Sequence, residues 1–176
     1  MPRIAKPEPE EITNPSLSFP ALPGLEALPD RAAVLTSARS ITFEEKRFPD
    51  WCWLFAKAAH AAHQEGKSAI LILPERDQIL QLADLFIKLG LGSMVSTWLP
   101  GAKKSERFTN FHRALSQDKA IVIGTRSAVY APVKNLGLIA LFDDGDDSLR
   151  EQGSPYTHAR EIALMRATSE VKLVIA

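Results

Sequence analysis

The chain has little of what most binding chemistries rely on. One of its 176 residues is a cysteine, Cys52, which excludes an internal disulfide framework and a cysteine-built zinc site. Neither sign of charge prevails, with 21 Lys and Arg against 21 Asp and Glu. The chain as a whole therefore has no basic field with which to grip nucleic acid, and any such contact has to be local. No apolar run approaches the roughly 18 residues of a membrane span. The opening MPRIAKPEPEE lacks the apolar core of a signal peptide. A cytoplasmic chain that engages no membrane is the expectation. Glycine is scarce too, and nothing of the form GxxxxGK[ST] occurs, so the usual glycine-lined phosphate cradle is missing.

What is present is unevenly spread. Seven of the twelve prolines and a single glycine, Gly24, fall in the first thirty residues, which show no sustained period. Proline fixes φ and removes a donor, so residues 1–30 read as a linker, extended or draped on a neighbour. From Arg31 onward short apolar runs alternate with helical periods. Strands are predicted over 32–36, 68–73, 93–97, 120–123, 138–142 and 172–176, and helices over 51–64, 77–89, 103–116 and 157–169. Continuously apolar strands separated by helices predict a parallel sheet with helices on both faces, a three-layer α/β/α domain over 31–176. Ligands of such sheets sit beyond the carboxyl ends of the strands. The loops to inspect are therefore 37–50, 74–77, 124–127 and 143–156.

Gly124-Thr125-Arg126-Ser127 supplies a glycine, two hydroxyls and a guanidinium, groups that hold phosphate oxygens; a turn with one solvated arginine fits the same residues. Asp143, Asp144, Asp146 and Asp147 follow a buried strand, where nucleotide-hydrolysing proteins hold Mg²⁺ and orient water; a solvated or helix-capping acidic loop is the plainer alternative. The loop after the first strand, beginning Ser37-Ala38-Arg39-Ser40, has no glycine, and Arg39, Ile41 and Phe43 obstruct backbone approach to a phosphate. His60 and His63 lie three apart on a helix without a third metal ligand nearby, and Trp51 and Trp53 read as core anchors.

The stretch Ile121-Val-Ile-Gly-Thr-Arg-Ser-Ala-Val-Tyr-Ala-Pro-Val-Lys-Asn-Leu-Gly-Leu-Ile139, the acidic loop, and Tyr156-Thr-His-Ala-Arg-Glu-Ile-Ala-Leu-Met-Arg-Ala167 together resemble the PriA family of bacterial replication-restart DNA helicases. Weaker matches are Gly66-Lys67 before a strand ending Leu73-Pro74-Glu75, and Ser105-Glu106-Arg107. The resemblance covers about residues 31–176. It implies the first RecA-like lobe of a superfamily 2 helicase motor. The implied partners are forked or single-stranded DNA, other primosome or replication-restart proteins, and a second helicase lobe. The family's ATP and Mg²⁺ are implied as cofactors, and its zinc ligands lie outside these residues.

Two motifs depart from the family. The place of its glycine-rich Lys-Thr loop is taken by Ser37 to Thr42, or on another alignment by Phe48 to Cys52, and neither supplies the glycines or the lysine. Where the family has Asp-Glu-Glu-His, this chain has Phe142-Asp143-Asp144-Gly145. Phenylalanine ligates no Mg²⁺ and glycine relays nothing. Leu149 replaces an aromatic of the following loop, leaving Tyr156 to stack on bases. The pattern is similar to the divergent PriA proteins of actinobacteria. It implies a replication-restart role on DNA with an eroded ATPase, whose remaining surface is Thr125, Arg126, Ser127, Tyr156 and Arg160. The alternative is a working ATP-dependent helicase with an unconventional nucleotide site.

Overall fold

A computed structural model of the chain describes residues 18–22 and 29–176. Most of the stretch read as a linker lies outside the described residues. The apolar runs do assemble side by side: β1 (Arg31–Ala33), β4 (Ser68–Ile72), β5 (Val95–Trp98), β6 (Ile121–Gly124), β7 (Leu136–Leu141) and β8 (Lys172–Ile175) form one sheet of order β1-β8-β7-β4-β6-β5. Every neighbouring pair is parallel. The crossovers carry α1 (Asp50–Gln64), α2 (Arg76–Lys88), α3 (Lys104–Ser116) and α4 (Ala159–Arg166). This is the predicted three-layer α/β/α lobe.

Strand alternation explains why the sheet is apolar on both sides. In β4, Ala69 and Leu71 face the layer containing α1 and α2, while Ile70 and Ile72 face the layer containing α4 and the turn after β6. Residues of β6 and β7 divide in the same way, Ile123 and Ala140 to one side, Val122 and Ile139 to the other. Two cores result, one per face. Helix α2 starts at a capping box between Glu75 and Gln78.

The first strand is shorter than predicted. β1 ends at Ala33, and the loop expected over 37–50 instead folds into an antiparallel hairpin, β2 (Ser40–Phe43) with β3 (Lys46–Pro49). Its turn is Glu44-Glu45, both with positive φ, so no glycine marked it in the sequence. Lys88 to Glu44 (3.3 Å) and Lys46 to Asp84 (2.8 Å) pin the hairpin to α2. Helix α4 is likewise shorter than the predicted 157–169: His158 caps its start, and it ends at Arg166 with Ala167 as the C-cap.

The histidines of α1 have no metal-like setting: among the described residues no group of three metal-ligating side chains gathers. His63 is buried with its Nδ1 unpartnered, and burial together with Lys119 and His60 pushes its pKa below the ordinary value. His60 is lowered by burial as well. The unfolded chain thus binds protons that the folded one refuses. Stability is complete above the ordinary histidine pKa of about 6.5 and falls as pH drops below it. The expected urea midpoint decreases from about pH 7 to about pH 5, and His63→Leu flattens that slope.

Candidate nucleotide and nucleic-acid site

Because all six strands run parallel, the inspected loops converge on one rim at their carboxyl ends. At one side of it, β1 leads through Ser37 and Arg39 into the hairpin and on to α1. The two stretches that the alignments offered as the phosphate loop come together here. Asp50, the first residue of α1, is buried and accepts from Ser37 Oγ (2.5 Å) and from Arg39 Nε (3.2 Å to each carboxylate oxygen). Its own N–H donates to the Arg39 carbonyl (3.0 Å). A helix start attracts an anion through its free N–H groups and dipole. Here the protein supplies that anion itself. Of the predicted loop residues, Ser37 and Arg39 join this cluster, while Ala38 and Ser40 are exposed beside it.

The next position closes the space further. Trp51 stacks on Phe142 at 4.5 Å between ring centroids and 27° between planes, and Phe55 meets both rings edge-on. Phe142 therefore sits at the end of β7 as part of an aromatic cluster. Trp51 and Trp53 are buried, as their reading as core anchors requires. Sequence reasoning weighed Phe142 only as a missing ligand. Its pairing with Trp51 spans 91 positions (142 minus 51) and left no local signal.

The four aspartates that follow take separate duties. Asp146 accepts from the Ser148 N–H (2.7 Å) and caps a short 3₁₀ turn, Asp147–Leu149, and hydrogen bonding from Ser148, its side chain first and its N–H second, holds the carboxyl below the usual range. Asp144 pairs with Arg160 of α4 at 2.5 Å. Asp143 and Asp147 are exposed, and Asp143 has a positive φ of 51° as the chain turns off β7. Two of the four carboxylates are thus engaged within the protein, one as a cap and one in an ion pair.

Across the rim, Thr125 precedes a 3₁₀ turn, Arg126–Tyr130, and its carbonyl accepts from the Ala128 N–H (2.8 Å). Arg126 reaches Glu151 (3.3 Å) and the Ser148 carbonyl (3.1 Å), tying this turn to the loop after β7. Ser127 is exposed. Gly124 has a different reason from the one its sequence context suggested: a Cβ there would lie 2.8 Å from that of Trp98 and 2.9 Å from that of Ala128. It permits close packing of the turn, with no positive φ. Tyr156 is 58% exposed, and its carbonyl accepts from Arg150 (3.3 Å). Leu149, by contrast, is fully buried. His158, unassigned by sequence reasoning, caps α4 through Nδ1 to the Arg160 N–H (3.1 Å), while Glu161 returns a bond to the His158 N–H (3.2 Å).

The chain is 32% identical over 182 aligned residues to a probable replication restart protein PriA of Mycobacterium leprae, an alignment covering 94% of the chain. It is 34% identical to the corresponding Mycobacterium tuberculosis protein over 77% of the chain, and 32% identical to replication restart protein PriA of Bacillus subtilis over 58%. The chain is a PriA-like sequence. It spans 27%, 21% and 13% of those three PriA proteins respectively. No protein-family model matches it. Alignment to the mycobacterial PriA proteins extends over more of the chain than alignment to the Bacillus one.

Set beside the PriA motifs, the rim is selective in what it keeps. The Asp143 and Asp144 positions retain carboxylates, but one is turned out to solvent and the other is engaged by Arg160. A Mg-nucleotide bound as in a helicase motor needs backbone N–H groups and a lysine between β1 and α1, and a metal-holding carboxylate at the end of β7. The first place holds the Asp50 carboxylate and the second the Trp51–Phe142 stack. These residues do not fit ATP and Mg²⁺.

Proposed function

We propose that this chain is the helicase-type lobe of a protein of replication restart, acting on DNA as a binding and partner-recruiting element without ATP hydrolysis. The observation that carries this reading is the pair of substitutions in space at the rim. Asp50, at the first turn of α1, puts negative charge where a triphosphate needs positive, and the aromatic stack fills the place of the metal. Phosphoryl transfer depends almost wholly on positioning and charge neutralisation, so loss of both leaves no chemistry for the remaining carboxylates.

DNA contact is assigned to Thr125, Ser127 and Arg126 on the turn after β6, with Tyr156 as a stacking ring and Arg160 at the edge of the acidic loop. Arg126 and Arg160 are half-exposed in their ion pairs, so each can exchange a carboxylate for a phosphate at small cost. Forked or single-stranded DNA, other restart proteins and a second motor lobe are the partners this reading calls for.

Titration of the protein with Mg-ATP, with and without forked DNA, is the deciding experiment. The expected result is no saturable binding up to millimolar nucleotide and no DNA-stimulated phosphate release. Micromolar binding with DNA-stimulated hydrolysis would establish the working-helicase alternative instead. For the DNA surface, Arg126→Glu is expected to weaken single-strand binding about tenfold at low salt, by exchanging a phosphate contact for repulsion. An unchanged anisotropy curve would reduce the turn to a structural role.

A further inference from the structure

Residues 18–22, taken in sequence as part of a linker, lie against the lobe. The Phe19 ring is 5.4 Å from that of His60 on α1, and Leu22 is 3% exposed within the core cluster that includes Phe48 and Trp51. Between these two anchors, the Ala21 carbonyl accepts from Arg39 Nη2 at 3.2 Å. This is the same Arg39 whose Nε is held by Asp50. One guanidinium therefore joins three parts of the chain: the loop after β1, the first turn of α1 and the segment that precedes the lobe.

We propose that the corner between β1 and α1 is a docking site for the chain's own preceding segment, with Asp50 and Ser37 orienting Arg39 and Arg39 latching the Ala21 carbonyl. The reading deepens the one above, since it gives the nucleotide-free corner an occupant. Three features support it. The contact needs a planar fork, with Nε on one acceptor and Nη2 on another, which a lysine ammonium cannot reproduce. Asp50 is the buried partner and Arg39 the half-exposed one, so the carboxylate fixes the arginine and the arginine's outer edge is left for the segment. Pro20 has its φ fixed immediately before Ala21, so docking orders few degrees of freedom. The side chains of Phe19 and Leu22, before and after the latched carbonyl, both pack on the core of the lobe.

The test is ¹⁵N relaxation on the intact chain. In the unaltered protein Ala21 and Leu22 are expected to be as rigid as the sheet, with order parameters near 0.85, and in Arg39→Ala to drop below about 0.6, while β4 and β6 remain unchanged. Arg39→Lys keeps the charge but loses the fork, and is expected to release the segment too; it serves where Arg39→Ala fails to fold. Arg47→Ala, on the same hairpin, leaves the segment rigid. Rigid Ala21 and Leu22 in both Arg39 variants would overturn the docking proposal. Mg-ATP shifts at residues 37–42 with the segment still rigid would instead sink the nucleotide-free reading and leave the docking intact.

Discussion

Phe142→Asp, which writes the family's metal-binding carboxylate back into the chain, is expected to lower the unfolding free energy by about 3 kcal/mol and to gain no affinity for Mg-ATP. The loss comes from the aromatic cluster. Phe142 is stacked on Trp51 and edge-on to Phe55, so its removal strips two rings of a partner and leaves a void beside α1. The incoming carboxylate faces those rings instead of water, which adds a desolvation cost. Even if the side chain turns outward, Asp50 still occupies the first turn of α1 and repels the phosphates a metal would bring. Urea unfolding reads the first effect and calorimetric titration the second. Wild-type stability together with a new Mg-ATP isotherm would show that the site is merely one residue away from working.

Gly124→Val is expected to destabilise by about 2–3 kcal/mol, measured as a shift of the urea midpoint at unchanged slope. Its Cβ alone would approach Trp98 and Ala128 at under 3 Å, and the two added methyl groups have no room. Strand β6 is paired on both sides, with β4 and β5, so the backbone at Gly124 cannot retreat within the sheet. The strain falls on the turn Arg126–Tyr130, which carries Arg126. Loss of DNA affinity in this variant beyond that of Arg126→Glu would mean that the turn, not the single guanidinium, makes the surface. Gly124 in a phosphate-binding role predicts the opposite pattern: lost anion contact with little change in stability.

The sheet was legible because its signal is local. Runs such as Ser68–Leu73 and Ala120–Ile123 are apolar without a break, and only strands buried on both faces need that. Helices α1 and α2 were bounded to within a residue or so by Gly66, Gly90 and the periodic leucines. The loops at the carboxyl ends of the strands were located by topology alone, and the lack of a glycine-lysine phosphate motif is itself a property of the sequence. What occupies its place was not legible there. The Asp50 cluster joins residues on either side of a hairpin whose turn, Glu44-Glu45, carries none of the usual turn residues. The Trp51–Phe142 stack brings together two distant elements, and the Arg160–Asp144 pair joins α4 to the loop after β7. Side-chain partnership across a sheet's rim depends on tertiary placement, which no window of neighbouring residues contains.

Cys52 lies two residues into α1, fully buried, and burial drives its thiol far above the ordinary range for thiolate formation. A thiol reagent reacts with the thiolate, so this side chain is silent while α1 is seated on the sheet. It is also the chain's single cysteine. The rate at which a disulfide reagent consumes it therefore counts openings of α1, helix start and aromatic stack together, without any label having to be introduced. A ligand that braces the rim slows that clock, and a substitution that loosens Asp50 or Phe142 speeds it.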